Sequence, residues 1–415
     1  MHNQPQLEPA EIGQRVRIIR RRRGMSLDTA AGLAGISKSY LSMLENGERR
    51  FERRGLLEDL ANALGCSIVD LTGQPYLPGD QVSAEALSTL PPISVALFDA
   101  TLDDVPDQPA RSVDDLANLA RKANEYSANS RYSLAGRDLG ALLTELHIHA
   151  VAGDGDTRRS ALIALVEACF VAAGNARTLG NYDLAVLAAK RGQEAAQRLD
   201  GLALPAFAAM TVTTALSRMG ARHRAQRVAA EALATVEHAD PNADDTAPAE
   251  AAGMLHLSSA QMAAKDHNAD LAADHLAMAA EIAEHTGERN ALQFTFGPAN
   301  VRAWSLSIAV ELGEGPVRAE QITAISGFDA ALTTADRRAA LHFDLARAYA
   351  QADGTRDGDA VRHLDVADRI APQRIRHDPV ARELVAELDT RVKRRAWELD
   401  SLKRRLAVGS QIVND

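Results

Sequence analysis

A short run of polar residues has the side chains needed to read the edges of DNA bases. Its outward-facing members are Ser37, Lys38, Ser39, Tyr40, Ser42 and Met43. Hydroxyl and ammonium groups match the donors and acceptors that base pairs present in the major groove. A helix with such side chains at its N-terminal end can enter that groove. The run therefore predicts a base-reading helix.

Arginine clusters on either side of this run are candidates for contacts with DNA phosphates. They comprise Arg15, Arg17, Arg20, Arg21, Arg22 and Arg23 before it, and Arg49, Arg50, Arg53 and Arg54 after it. Phosphate contacts add affinity and salt dependence without selecting a sequence. The predicted phosphate contacts are Arg20, Arg22, Arg23, Arg49 and Arg50. The alternative is a solvated surface, which is the usual role of a run of charges.

The elements that must position these side chains are short helices. Ile12, Val16 and Ile19 fall on one face of a first helix, and arginines occupy the other face. Gly24 ends this helix. We expect its apolar face to pack on the helices that follow.

A tight turn joins the next two helices. Ser26 can cap a helix over residues 27–34, and Ser37 can cap one over residues 38–45. Gly35 lies in the turn, where a positive φ is nearly free only for glycine. Two short helices joined in this way predict a helix-turn-helix whose second helix presents the polar run.

These residues resemble the Xre-type helix-turn-helix domain over about seventy consecutive positions. The matching motifs are Gly13-x-Arg-x-Arg, Ser26-Leu27, Ala-Gly-Ile-Ser at 34–37, Tyr40-Leu41-Ser42-x-Leu44-Glu45-Asn46-Gly47, Leu60-Ala-Asn-Ala-Leu-Gly65 and Asp70-Leu71. The resemblance implies a five-helix domain that ends near Thr72, with Asn46 beside a phosphate and Ser26 and Leu27 near the DNA. Residues 48–54 depart from the family's usual Lys-x-Pro turn, which leaves the path of that loop open.

The composition predicts an all-α protein from a reducing compartment. Apolar residues make up 46% of the chain and aromatic residues only 4%, and the abundant alanine suits helix-on-helix packing. Cys66 and Cys169 lie in separate apolar segments, so no disulfide is expected. No apolar run approaches the ~18 residues of a membrane span, and we expect a cytoplasmic protein without a membrane contact.

The net charge of −10 is divided unevenly along the chain. Residues 1–74 carry eleven basic and nine acidic side chains, whereas the remainder carries 35 basic and 47 acidic ones. An acidic surface repels DNA. Only the N-terminal part is therefore expected to touch it.

Residues 74–83 interrupt the helical pattern with two prolines and a glycine. Such a segment breaks a helix and predicts a linker or hinge. It divides the chain into a DNA-binding domain over residues 1–73 and a region of paired helices over residues 84–408.

Beyond this linker, small residues recur at about the 34-residue period of tetratricopeptide repeats. The clearest copy runs from Val166 to Leu199, with Gly180 at its turn, and the pattern predicts an α-solenoid. The arrangement resembles actinobacterial regulators that join an Xre-type domain to a tetratricopeptide-like region. It is also similar to the RRNPP group of peptide-pheromone regulators, which implies quorum sensing or another signal that gates a transcription factor.

A stack of helix pairs curls into a superhelix whose inner wall is formed by the first helix of each pair. The predicted wall consists of Glu167, Phe170, Arg177, Phe207, Met210, Thr214, Ser217, Met254, Leu257, Gln261, Asn300, Trp304, Phe343 and Arg347. Apolar side chains mixed with polar ones suit an extended peptide or a flexible small molecule, whose amides need partners. For each apolar member the alternative is ordinary core between helices.

The sequence has no motif that requires catalysis. A phosphate-binding glycine loop, a nucleophile elbow and paired Cys-x-x-Cys motifs are all missing. His147 and His149 fall on different sides of one helix, and the acids and histidines over residues 266–275 spread around another. We expect a non-enzyme without a metal or cofactor.

The last predicted helix, over residues 380–406, has an apolar stripe that must be covered. The stripe consists of Leu384, Leu388, Val392, Leu399, Leu402 and Leu406. It either caps the stack or pairs with a second chain, and a cap is more common. Helix-turn-helix proteins usually read two half-sites about 34 Å apart, so we expect a homodimer from some surface.

Together these features predict a sequence-specific regulator of transcription. Its repeat region would bind a signalling peptide or small metabolite that modulates binding to operator DNA. The alternative is a tetratricopeptide scaffold for a protein partner, with DNA binding secondary. An enzyme built on the repeat region would need a polar cluster that the sequence does not reveal.

Overall fold

The structure, a computed structural model, describes residues 11–292, 295–391 and 397–408. Within these ranges the chain forms helices and turns and contains no strand. The prediction of an all-α fold is confirmed.

Five helices begin the described chain. They are α1 (Ile12–Arg22), α2 (Leu27–Leu33), α3 (Lys38–Glu45), α4 (Arg54–Leu64) and α5 (Ile68–Thr72). The hydroxyls of Ser26 and Ser37 accept hydrogen bonds from the backbone N–H groups of Thr29 and Tyr40, so both predicted N-caps are confirmed. Gly35 has a φ of +68°, as the turn requires.

The remaining helices form the C-terminal region. They are α6 (Gln81–Ser88), α7 (Leu90–Asp99), α8 (Val113–Ala128), α9 (Tyr132–Gly136), α10 (Leu139–Ala152), α11 (Gly155–Thr178), α12 (Tyr182–Ala196), α13 (Ala203–Met219), α14 (Arg222–Val236), α15 (Ala247–Lys265), α16 (Ala269–Thr286), α17 (Pro298–Leu312), α18 (Gly315–Thr323), α19 (Ala335–Ala350), α20 (Asp357–Ile370), α21 (Pro372–Arg376), α22 (Pro379–Arg391) and α23 (Trp397–Arg405).

From α11 to α20, consecutive helices pack as pairs. The pairs are α11 with α12, α13 with α14, α15 with α16, α17 with α18, and α19 with α20. The first helix of each pair also contacts the first helix of the next, which creates a continuous inner layer. This is the packing of a helical-repeat stack. Its assignment as tetratricopeptide-like stays a prediction.

The stack curls until its beginning meets its end. Helix α8 contacts α19, and the Tyr132 hydroxyl donates to Asp336 at 2.9 Å. The backbone N–H of Tyr132 donates to Gln373 Oε1 at 2.9 Å, and Gln373 donates to the Val82 carbonyl at 3.1 Å. These contacts join the two ends of the helical array around the predicted groove, which becomes a cavity that stays partly open to solvent.

The N-terminal helices pack directly against the end of the stack. One apolar cluster includes Leu41 and Leu60 from these helices and Leu341, Leu364 and Leu384 from the C-terminal region. Shared burial of this kind holds the two parts together.

The predicted linker is anchored at its start. Gln74 is buried, where its Oε1 accepts from the Tyr182 hydroxyl at 2.7 Å and its Nε2 donates to the His377 carbonyl at 2.8 Å. The Arg382 guanidinium lies 3.5 Å from the centre of the Tyr76 ring. Residues 73–80 are free of helix, but these contacts make the first part of the segment a fixed connection. The domain limits at residues 73 and 84 stay predictions.

The prediction of one long terminal helix is wrong. Lys403 Nζ lies 2.6 Å from Asp389 Oδ2, whereas 14 residues of straight helix would span about 21 Å. Helix α23 instead folds back and contacts α20 and α22. The stripe residues Leu384, Leu388, Leu399, Leu402 and Leu406 are buried within the chain, as a cap requires. Val392 lies outside the described residues.

Helix α11 is long and apolar enough, by length and composition, to cross a membrane. Of its most apolar window, 67% is buried inside the structure, and the helix packs against α8, α10, α12 and α13. Length and composition alone make this helix a candidate, and the expectation of a protein without a membrane contact stays a prediction. Packing at the centre of the stack accounts for the apolar composition.

Candidate DNA-reading surface and ligand cavity

The N-terminal end of α3 presents the predicted base-reading side chains on one surface. Ser37, Lys38 and Ser39 are exposed, and Tyr40, Ser42 and Met43 are half-buried. The opposite face of α3 is fixed because Leu41 and Leu44 are buried in the core. The helix dipole adds partial positive charge at the exposed end, which favours a nearby phosphate.

The neighbours of this surface leave it available. Lys38 Nζ pairs with Asp28 Oδ2 at 2.9 Å, but both side chains are exposed, and such a pair contributes at most about 1 kcal/mol. Exposed Asn46 donates to Glu48 Oε1 at 3.3 Å. Leu27, a predicted DNA contact, instead packs its side chain against the core.

Arg20 is not a phosphate contact, and this prediction is wrong. Its guanidinium donates to both carboxylate oxygens of Glu45, at 2.6 and 2.7 Å, and to the Met25 carbonyl at 2.8 Å. The side chain of Arg20 is buried, as is that of Glu45. This pair joins the end of α1 to the end of α3, so Arg20 orients the recognition helix and does not face the DNA.

Two more predicted phosphate contacts have structural partners. Arg50 Nη1 lies 2.8 Å from Glu11 Oε2, and only 11% of its side chain is exposed; the prediction for Arg50 is wrong because its charge is already neutralised. Arg23 donates to the Gly65 carbonyl at 2.6 Å and stabilises the C-terminal end of α4, although it stays exposed. Arg22 and Arg49 are exposed and stay predicted phosphate contacts.

The inner layer of the stack surrounds a cavity with two connected halves. The apolar half, of about 160 Å³, is lined by Phe170, Met210, Met254 and Trp304 among others. The basic half, also of about 160 Å³, is lined by Arg54, Arg177, Arg218, Lys265, Arg337 and Arg374 among others. Arg177, Thr214, Trp304, Asp336 and Arg337 belong to both halves, which makes the space continuous.

Most of the predicted groove residues line this cavity. They are Phe170, Arg177, Met210, Thr214, Ser217, Met254, Gln261, Trp304 and Phe343. The regular spacing of the first helices explains the agreement, because it places one residue per turn on the inner layer.

Five predicted groove residues lie elsewhere. Leu257 is wholly buried in the core between helices, and Asn300 is buried with its Nδ2 3.7 Å from Met254 Sδ. Phe207 is buried behind Phe170, with the two ring centres 4.9 Å apart. Glu167 accepts a hydrogen bond from Asn124, which lines the cavity, at 2.9 Å. Arg347 is buried in an ion pair, described below. The structure contradicts these five predictions, because a repeat period does not tell which side chains of an inner helix reach the cavity.

Sequence reasoning missed several charged lining residues. Arg218 lies next to the predicted Ser217, and Arg337 lies nearly two turns before the predicted Phe343 on α19. Tyr132 comes from α9, outside the clear repeats. Arginines in otherwise alanine-rich inner helices were the available indication.

The cavity borders the junction with the N-terminal helices. Helix α4 has no side-chain cap of its own, and the backbone N–H groups of Arg54 and Gly55 donate to Glu311 at 3.3 and 3.2 Å. Arg347 donates to the same carboxylate at 2.7 Å and to the Glu52 carbonyl at 2.9 Å. Burial would raise the pKa of Glu311, but the charges of Arg347 and Lys265 hold it at about 2.

A second buried ion-pair group strengthens this junction. Glu58 of α4 pairs with Lys265 and, at 2.8 Å, with Arg222. Arg222 also reaches Asp59 at 3.1 Å and Asp266 at 2.5 Å. Burial opposes the charged form of Arg222, yet these acids raise its pKa above the ordinary value. Removing one member of such a group leaves an unpaired buried charge.

The histidines considered as metal ligands bind backbone carbonyls instead. His147 donates from Nδ1 to the Leu143 carbonyl at 2.7 Å, and His149 donates from Nε2 to the Arg111 carbonyl at 2.6 Å. In the part of the chain that the structure describes, no group of three or more His, Cys, Asp or Glu side chains is placed to hold a metal ion.

Comparison with known proteins identifies the N-terminal part. Residues 11–72 match the family described as "Helix-turn-helix domain". No curated protein matches the chain. Of the solved structures, PlcR of Bacillus thuringiensis in complex with the peptide PapR7 and DNA is 13% identical, over 66% of this chain and 94% of that one, with a TM-score of 0.29. ComR of Streptococcus suis is 12% identical, over 67% and 90%, with a TM-score of 0.26. Likeness at this level supports no conclusion about this chain. The family match over residues 11–72 and the geometry of the helices identify α1–α5 as a helix-turn-helix domain.

Proposed function

We propose that this protein is a DNA-binding transcription regulator whose C-terminal region binds a signalling ligand that changes its affinity for DNA. The helix-turn-helix domain and the exposed N-terminal end of α3 support the DNA-binding part. The cavity supports the ligand-binding part, since sites for small ligands are typically concave, mostly apolar pockets with a few convergent polar groups. The ligand is a small metabolite or a short peptide. The protein acts in the cytoplasm, without catalysis, metal or cofactor.

One observation carries this proposal: the helix-turn-helix domain supplies part of the cavity wall. Arg54, the first residue of α4, lines the basic half. Its guanidinium pairs with Asp378 and lies 5.9 Å from the centre of the Phe343 ring. A ligand in the basic half therefore meets a residue of the DNA-binding domain. If the ligand binds the DNA-bound and free arrangements with different affinity, it changes DNA binding by that difference.

The DNA-binding part is tested by selection from a random duplex library with the full-length protein. We expect one enriched sequence, and we expect Ser39→Ala to change which sequence is enriched, because its hydroxyl lies on the exposed end of α3. A library that emerges unenriched would exclude sequence-specific binding. An unchanged preference in the variant would place the reading surface elsewhere.

The closed stack argues against the alternative of a scaffold for a folded protein partner. The contact of α8 with α19 narrows access to the inner layer, whereas a scaffold for a folded partner needs an open concave surface. Capture of a protein in equal amount, without any duplex selected, would favour the scaffold.

We also propose that two copies bind together to half-sites about one DNA turn apart. Light scattering of the full-length protein with and without the selected duplex measures the number of copies. One copy per duplex at saturation would contradict the dimer.

A further inference from the structure

In the described part of the chain, three arginines of the cavity make no hydrogen bond or ion pair with an acid, although the charges of Asp336, Asp344 and Asp378 act on them from nearby. Arg177, Arg218 and Arg337 line the basic half, and within the described ranges no hydrogen bond or ion pair joins their guanidinium groups to another residue. Arg177 and Arg337 also line the apolar half. Each guanidinium has five N–H donors and no acceptor, so together they offer a large capacity for binding an anion.

The acids on the same wall are already engaged. Asp336 accepts hydrogen bonds from Arg374 at 2.6 Å and from the Tyr132 hydroxyl at 2.9 Å. Asp344 pairs with Arg347 at 2.9 Å. The six basic residues that line the cavity face only these two acids as lining residues. Arg54, Lys265 and Arg374 are paired with Asp378, Glu58 and Asp336. Among the described lining residues, the positive charge that remains without a salt bridge is that of Arg177, Arg218 and Arg337.

Two further donors lie between the halves without a partner. Trp304 Nε1 and Thr213 Oγ1 are buried and make no hydrogen bond within the described residues, and both residues line the basic half. The Arg337 guanidinium lies 5.7 Å from the centre of the Trp304 ring. An indole N–H and a hydroxyl beside guanidinium groups can complete the donor set around a phosphate or carboxylate.

Keeping these charges together is unfavourable for the unliganded protein. Burial lowers the pKa of Arg218 to about 10, and the positive charge of Arg54 adds to the shift. Burial also lowers the pKa of Arg337 to about 10; the charge of Asp336 opposes this shift, and that of Arg374 adds to it. By contrast, Arg20, Arg222 and Arg347 are paired directly with carboxylates. Groups perturbed in this way inside a cavity indicate a functional site.

The apolar half fixes the rest of the ligand's character. Phe170, Met210, Met254 and Ala173 line it, and Phe170 packs against Phe207 at 4.9 Å between ring centres. An apolar body fits there while a charged group reaches the arginines that both halves share.

We propose that the cavity binds an amphipathic anion: a small ligand with a phosphate or carboxylate group held by Arg177, Arg218 and Arg337, and an apolar body among Phe170, Met210 and Met254. This deepens the proposed function, on which it rests for any effect on DNA. The binding itself depends only on the cavity.

Phenyl phosphate is a suitable probe, because it joins a dianion to an apolar ring. Calorimetric titration of the full-length protein should show saturable binding, and its Tm should rise. Inorganic phosphate should bind more weakly, and benzyl alcohol, which lacks the charge, should leave the Tm unchanged. Benzoate in a parallel titration distinguishes a preference for carboxylate from one for phosphate.

Two variants test the arginines. Arg337→Gln and, separately, Arg218→Gln should weaken phenyl phosphate binding roughly tenfold or more, as expected for lost hydrogen bonds to a charged group. Without probe, each variant should have a Tm at or above that of the parent, because an unpaired buried charge has been removed. Arg159→Gln is the matched control, since Arg159 lies on α11 like Arg177 but is exposed.

The proposal is overturned if phenyl phosphate shifts the Tm no more than sodium chloride of equal ionic strength. It is also overturned if both variants bind the probe like the parent, or if both lower the Tm without probe. Duplex selection is a separate readout. Probe binding without selection of a duplex would support the anion site and contradict the regulator function. Selection of a duplex without probe binding would support DNA binding and contradict the anion site.

Discussion

Two regions of this protein carry clusters of positive charge: the exposed surface of the helix-turn-helix domain and the lining of the cavity. The two clusters differ in their access to water. On the helix-turn-helix domain, Lys38, Arg22 and Arg49 are exposed, where water and salt screen them at little cost. In the cavity, Arg177 and Arg337 are half-buried and make no salt bridge with another described residue, where charge is more costly. An exposed cluster therefore says little by itself, whereas a half-buried one without salt bridges indicates a site for an anion.

Buried arginines outside the cavity sharpen this contrast. Arg20 has Glu45, and Arg347 has Glu311 and Asp344. Where an arginine serves packing alone, this fold supplies an acid for it. Arg218 makes no such pair among the described residues, and Asp378 acts on it only through its charge; this difference separates a binding role from a structural one.

The largest effect should come from cutting the junction between the two regions. Glu311 is 2% exposed, and it holds Arg347 and the N-terminal end of α4. Glu311→Gln should lower the free energy of unfolding by about 3–5 kcal/mol, because Arg347 loses a charged partner inside the protein. Urea unfolding of the full-length protein measures the change.

Glu314→Gln provides the control for this measurement. Glu314 is exposed at the start of α18, so its substitution should change the free energy of unfolding by less than about 0.5 kcal/mol. Equal unfolding midpoints for the two variants would contradict the assigned role of Glu311.

A smaller, pH-dependent effect is expected from Glu383 at the same junction. Its carboxylate accepts from the Phe51 N–H at 3.3 Å, and burial raises its pKa to about 7. Because this pKa lies above that of the unfolded chain, the folded state binds the proton more tightly. The associated stability is fully present below about pH 4.5 and is lost as the pH rises through 7.

Glu383→Gln isolates this contribution. The variant should be more stable than the parent by about 1–3 kcal/mol above pH 7, and the difference should shrink towards pH 4.5. Burial lowers the pKa of His256, His363 and His377 to about 4, which destabilises the folded state as the pH falls from 6.5. The variant and the parent share those histidines, so the contribution of the histidines cancels in the difference between their free energies of unfolding. A difference that does not vary with pH would contradict the shift.

The smallest effects on stability, and the clearest on DNA, should come from the exposed surface. Lys38→Ala should change the preferred sequence, because about 1–3 kcal/mol of discrimination is lost at the base that Lys38 contacts. Arg22→Ala should weaken binding to all duplexes alike and reduce the slope of log affinity against log salt by about 0.9. Binding assays at several salt concentrations measure both.

Arg50→Gln is the informative comparison for the phosphate contacts. Since Arg50 pairs with Glu11, this variant should leave the salt slope unchanged. A slope reduced as much as in Arg22→Ala would show that the pair opens when DNA binds.

Local sequence was enough to predict the helix-turn-helix. The caps at Ser26 and Ser37 and the positive φ at Gly35 depend on neighbours within a few residues, and all three are as predicted. The role of Arg20 was missed because its partner, Glu45, lies 25 residues away. A surface charge and a buried one look alike in sequence.

The cavity could be predicted only in part. The repeat period placed Phe170, Met210 and Trp304 on the inner layer, since spacing along a helix determines its face. It missed the rotation of α15 and α17, which turns Leu257 and Asn300 into the core. Small differences in crossing angle between helices decide such rotations.

By itself, the amino-acid sequence determined the all-α fold, the helix-turn-helix and the face that most inner helices present, because each follows from short-range periodicity and capping. Only the tertiary structure decided that α8 meets α19 beside the cavity, that Arg54 joins the cavity wall, and that Arg177, Arg218 and Arg337 come together without salt bridges to other described residues. These features depend on contacts between residues a hundred or more positions apart, which no local pattern encodes.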